Sequence, residues 1–140
     1  DEYRKLISKL RTENAFAQFS KLMEKVVLIG EIYYLGGLLN EVDVDTLQIL
    51  TDQFRAKYPA GGIIVLGSVF DGKPILVSAI TEDLVKAGWH AGNLIKEISP
   101  FIGGGGGGKP MLARAGGKDV SGLEKAINSV PNIIRKYKEK

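Results

Sequence analysis

Apolar residues recur at helical spacing from the start of the chain. Tyr3, Leu6, Ile7 and Leu10 open a stripe that continues, after a slip near Glu13 and Asn14, through Phe16, Phe19, Leu22, Met23 and Val26. Arg4, Lys5, Arg11, Lys21 and Lys25 lie on the other side. No Pro or Gly intervenes before Gly30, so the pattern predicts one helix over residues 2–28. Its stripe must pack on the same domain, on a helix upstream or on a second chain. The stretch GEIYYLGGL (30–38) then reads as a strand rich in Ile and Tyr, with Tyr33 and Tyr34 on opposite faces. A helix comes next, with Asp45 as N-cap, Gln48 as its capping-box partner and Val44 with Ile49 as the hydrophobic staple. Leu47, Leu50 and Phe54 form its buried face, and Pro59 ends it.

GGIIVLGSVF and PILVSAI are two apolar strands joined through Asp71–Gly72, a hairpin signature. The unbroken run Ile63–Leu66 predicts a strand covered on both faces, or covered on one and functional on the other. Thr81 caps a short helix with Glu82 and Asp83 in its first turn. Gly88 and Gly92 punctuate the next stretch, NLIKEI (93–98) is a further helical piece, and Pro100 terminates it. Beyond a run of glycines, PMLARA (110–115) predicts a strand. Ser121 and Glu124 stand at capping-box spacing before a last helix with Leu123, Ile127, Val130 and Ile134 on its apolar face. Pro131 is expected to kink or split that helix. The order is α–β–α–β–β–α–(Gly loop)–β–α: an α+β fold with a small mixed β-sheet packed with helices, preceded by a long N-terminal helix. Residues 1–29 read as a helical extension and residues 30–140 as the globular unit.

Composition narrows the function classes. The 140 residues are 44% apolar and 25% charged, ordinary for a soluble fold. No apolar run approaches the ~20 residues of a membrane-spanning helix. There is no signal-like N-terminus, and the missing initiator Met suggests a piece of a larger protein. The absence of Cys removes disulfide and thiolate chemistry. The single histidine, His90, argues against a His-based zinc site or triad and reads as a helix-start residue. No catalytic or metal-ligating residue is therefore predicted. Charge is uneven: net +5 from Lys109 onward, −4 over residues 31–108 and +2 over the first thirty. Either an anionic partner for one face or an ordinary solvated Lys-rich helix end accounts for the basic third.

The six glycines Gly103, Gly104, Gly105, Gly106, Gly107 and Gly108 carry the strongest local signal. A tether should separate two units that each fold. Only 32 residues follow Gly108, too few to bury a core alone, so the run is an internal loop of one domain. Bare backbone amides can line a concave nest for an anion, and Lys109, Arg114, Gly116, Gly117 and Lys118 lie within the next ten residues. Pro110 after the lysine departs from the Walker pattern. The alternative is packing, with the glycines letting the strand entry pass close beneath a helix.

The segment KAGWHAGNLIKEISPFIGGGGGGKPMLARAGGKDVSGLEKAI (86–127) resembles the C-terminal (C-Ala) domain of bacterial alanyl-tRNA synthetases, which is related to the domain associated with DHH-type phosphoesterases. The carrying features are the Ala-Gly before NLIKEI, the glycine run with Lys-Pro, and ARAGGKD. The likeness covers roughly residues 30–137, and helix 2–28 fits the helical part that precedes that domain. The histidine of the phosphoesterase Gly-Gly-Gly-His motif is missing: Lys109 and Pro110 stand after the glycines.

The resemblance implies a non-catalytic tRNA-binding module in a cytoplasmic ligase. It docks the outer corner of alanine tRNA and helps couple the aminoacylation and editing domains upstream in the same chain. ATP, Mg²⁺ and Zn²⁺ belong to those upstream domains, and no cofactor is expected for this chain. Helix 2–28 is the expected route to a homodimer. The remaining candidates for RNA contact are Lys96, opposite the Leu94/Ile98 face, and Trp89, following a glycine at a helix break. Each has an ordinary alternative: Lys96 as a solvated helix residue, Arg114 as half of an ion pair, Trp89 as a core residue sealing the break. An oligomerisation module, or an accessory domain of a DHH-type phosphoesterase, are the other readings.

Overall fold

The structure, a computed structural model, describes residues 2–138. The side chains of Arg4, of residues 7–12 and of Lys138 lie outside that description, and with them Ile7 and Leu10 of the predicted stripe and Arg4 and Arg11 of the side opposite it. The chain runs α1 (Glu2–Met23), β1 (Val27–Ile29), β2 (Ile32–Asn40), α2 (Val44–Lys57), β3 (Gly62–Phe70), β4 (Lys73–Ile80), α3 (Glu82–Lys86) and α4 (Ala91–Ile98). A 3-10 turn (Ser99–Ile102), β5 (Gly105–Gly108), β6 (Leu112–Gly116), a second 3-10 turn (Val120–Gly122) and α5 (Leu123–Lys138) complete it. The six strands form one mixed sheet in the order β1-β2-β3-β4-β6-β5, in which only β2 and β3 pair in parallel. The expected α+β class with a small mixed sheet is what forms.

Alternation along the strands divides the core between the two faces. Tyr34, Val65, Leu76, Ala113 and Ala115 pack against α4 and α5. Leu35, Leu39, Ile64, Leu66 and Val77 pack against α1 and α2, where Ala15 and Phe19 of α1 join Leu47, Leu50 and Phe54. The apolar run in β3 is therefore covered on both faces. At the β3–β4 hairpin Asp71 and Gly72 both take positive φ, 51° and 76°, as a primed two-residue turn requires.

Several local expectations are corrected. α1 stops at Met23, and the residues expected to continue it form β1, an edge strand paired antiparallel with β2. The N-cap of α2 is Asp43, whose carboxylate accepts the Thr46 hydroxyl at 2.5 Å, and Asp45 stands in the first turn. Ile49 is half exposed and makes no staple. Ahead of α5 the turn is held by Asp119, which accepts the amide (3.0 Å) and hydroxyl (2.5 Å) of Ser121. Thr81 does cap α3, but its hydroxyl donates to Asp83 (2.6 Å). The Asp83 carboxylate also takes the Gly61 amide on both oxygens, at 3.0 and 3.1 Å. Those bonds, Thr81 first, hold the Asp83 carboxyl below its usual range.

Pro131 neither splits nor ends α5, which runs through it. A proline at this position removes the amide that would bond the carbonyl four residues back, at Ile127. That carbonyl instead accepts the Tyr34 hydroxyl at 3.2 Å, from a buried side chain 93 positions away. Burial also raises the Tyr34 phenol above the usual tyrosine range, so the donor stays protonated at neutral pH. Tyr34→Phe should leave the Ile127 carbonyl without either partner and destabilise the fold by about 1–3 kcal/mol. Urea unfolding measures this; an unchanged midpoint would remove the role assigned to the hydroxyl.

The glycine edge as candidate nucleic-acid interface

The glycine run has three local structures. Gly103 closes the first 3-10 turn in the left-handed region, φ 65°, a conformation that favours glycine. Gly104 crosses the backbone of Gly116 and Gly117, where a Cβ would stand 2.6 Å from the Gly117 Cα and overlap the Gly116 carbonyl oxygen. Gly105–Gly108 are extended and form β5, so the expected loop is in part a strand. The same turn binds the two residues that follow the second glycine pair. The Ile102 carbonyl accepts the amides of Lys118 and Asp119, both at 2.8 Å, and the Gly117 amide reaches Pro74 at 3.2 Å. The amides of Gly103 and Gly104 bond Pro100 and Ser99. These donors are spent inside the fold, so the anion nest expected of a loop does not form there.

β5 instead offers an edge. The bonds Gly117 to Pro74 and Lys109 to Leu112 (2.9 Å) fix the phase of the two ladders. Gly105 and Gly107 point their polar groups into β6, while those of Gly106 and Gly108 turn outward. The Gly108 carbonyl lies under the start of α4, 2.6 Å from where a Cβ on Gly92 would be. The outward peptide groups of Gly106 remain at the open end of the sheet, on an exposed residue.

Cations surround this edge. Lys109 and Lys118 are exposed at its two ends, and Arg114 is exposed on β6 opposite Gly107. Lys96 is exposed on α4, and its Cε lies 3.2 Å from where a Cβ on Gly107 would stand. Trp89 is placed differently. It is half-buried against the α4–α5 core, and its ring centroid is 5.1 Å from that of Tyr137. His90 is the N-cap of α4, its Nδ1 accepting the Asn93 amide at 3.1 Å, which is the helix-start role expected of it.

One neighbour of the edge has no signal in the sequence. A cleft of about 480 Å³ opens between the β3–β4 turn and β6, lined by Phe70, Lys73, Pro74 and Ile75 on one side and Gly116–Gly117 on the other. Lys73 and Asp71 mark only a hairpin when read along the chain. Their place beside Gly116 comes from the long-range pairing of β4 with β6.

The DHHA1 domain family matches residues 31–136. This chain belongs to that family. The chain is 36% identical over 134 residues, 96% of its length, to the alanine–tRNA ligase of Dehalococcoides mccartyi. It is 42% identical over 125 residues, 89% of the chain, to that of Pelotomaculum thermopropionicum. It spans 15% and 14% of the lengths of those two relatives. Among solved structures, the C-Ala domain from Aquifex aeolicus alanyl-tRNA synthetase has the same fold, with a TM-score of 0.70 at 24% identity, covering 77% of this chain and 96% of that one. The likeness carried by residues 86–127 thus holds over almost the whole chain. Among the described residues no helix is long and apolar enough to cross a membrane.

Proposed function

We propose that this DHHA1 domain is the non-catalytic tRNA-binding module of a cytoplasmic alanine–tRNA ligase, docking the outer corner of alanine tRNA. Aminoacylation and editing, with their ATP, Mg²⁺ and Zn²⁺, belong to other domains of that enzyme, and the module needs no cofactor of its own. The observation that carries the reading is the exposed glycine strand ringed by Lys96, Lys109, Arg114 and Lys118. Bare backbone admits close approach, and the cations neutralise phosphate. The identity to alanine–tRNA ligases over nearly the full chain supports it. A surface that reads backbone carries little sequence information, so discrimination among tRNAs should be weak. Pairing of two copies through α1, where Leu6 is exposed, uses a different surface and is compatible with this role.

Hydroxyl-radical footprinting of alanine tRNA on the chain tests the reading. Lys109→Ala combined with Arg114→Ala should erase most of the protection while melting as the wild type does, since both side chains are exposed. An unchanged footprint would place the RNA on another face.

A further inference from the structure

The fold accounts for some glycines at this edge and leaves others without a local reason. A Cβ on Gly104, Gly106 or Gly117 would collide with neighbouring backbone. Gly105, Gly107 and Gly116 are different. None has positive φ, a Cβ on Gly105 meets nothing within 4 Å, and one on Gly116 meets only the Pro74 carbonyl oxygen at 4.0 Å. One on Gly107 meets only the flexible stem of Lys96. Alanine would fit at all three, and glycine weakens a strand relative to alanine.

The three positions lie together. Gly116 stands opposite Ile75 and Arg114 opposite Val77, and Ile75 and Val77 belong to the face packed by α1 and α2. Gly105 pairs with Gly116, and Gly107 with Arg114, which extends that face to the sheet edge. α1 lies over β2, and α2 over β3 and β4. The β5–β6 part of the face thus carries Leu112, partly buried against that core, and Arg114, with the Lys96 stem beside Gly107, and it ends in bare peptide planes at Gly105 and Gly116. At Gly116 that end runs into the cleft beside Phe70, Pro74 and Ile75, whose rim holds Lys73 and Asp71.

We propose that the bare pair Gly105 and Gly116, with the adjoining cleft, seats an unpaired nucleobase of the bound RNA. The inference rests on the tRNA-binding reading and adds the part of the RNA that enters. A flat floor without side chains matches a flat ring, the apolar wall of Phe70 and Ile75 matches its faces, and a cleft of about 480 Å³ is roomy enough for a nucleotide. Arg114 and Lys73 bracket the seat and reach the flanking phosphates. Asp71 supplies an acceptor for an exocyclic amine.

Gly105→Val and Gly116→Val fill the seat without changing charge. Titrated with an alanine tRNA transcript, each folded variant should bind about tenfold or more weakly, as expected for loss of one stacked base. The dependence of affinity on salt should keep its wild-type slope, because no cation is lost. Wild-type affinity in either folded variant overturns the proposal, and so does weaker binding with a shallower salt slope. If Gly116→Val melts early, Gly105→Val, which has open space, decides. A wild-type chain that binds no tRNA overturns the tRNA reading and this inference with it.

Discussion

Raising salt from about 50 to about 200 mM should weaken tRNA binding about 50-fold. The figure comes from four phosphates neutralised by Lys96, Lys109, Arg114 and Lys118, the cations exposed around β5. Each contact releases counterions and contributes about 0.7 to the slope of log affinity against log salt, the single-strand coefficient. Removing Lys109 and Arg114 together should reduce the slope by about half, which separates their role from a general loss of affinity. Binding that is indifferent to salt would reject the phosphate contacts altogether.

Gly122→Ala should cost about 3 kcal/mol and lower the melting temperature by roughly 10 °C. The Cβ would overlap the Phe101 carbonyl oxygen and stand 2.6 Å from its carbon, in the place where the second 3-10 turn crosses the first. Both obstacles are backbone, and the same crossing sets the Ile102 carbonyl that binds Lys118 and Asp119. Relief therefore requires the two turns to separate. Gly105→Ala is the control: with nothing within 4 Å it should leave stability unchanged or raise it by about 0.4–1 kcal/mol. Thermal melts of both variants test the contrast. Equal melting temperatures would mean that the crossing carries no such constraint.

The elements most legible in the sequence are those whose signals are local. The Asp71–Gly72 turn, the continuous apolar run of β3 and the 3.6-residue stripe of α5 each say what they are within a dozen residues. The misses share a cause. The end of α1 and the start of β1 divide an apolar stretch that fits either period, and only pairing with β2 decides it. The helix persists through Pro131 because Tyr34 meets the Ile127 carbonyl from the far side of the sequence. At the candidate site the glycines, Lys109, Arg114 and Lys118 are visible as a cluster because they are close in sequence. That four of the glycines are a strand, and that Phe70 and Lys73 stand beside Gly116, depends on the insertion of β6 between β4 and β5. Six glycines contain no periodicity from which a strand could be read.

The division within the glycine run has a genetic consequence. Codon changes at Gly104 or Gly117 are exposed to selection through folding, whatever the domain binds, because any side chain there strikes backbone. Changes at Gly105 are hidden from that filter. A substitution there can be removed from a population only through the encounter made on the sheet edge. A library of variants scored once for abundance and once for RNA retention would therefore pull neighbouring glycines of one homopolymer run into two separate classes.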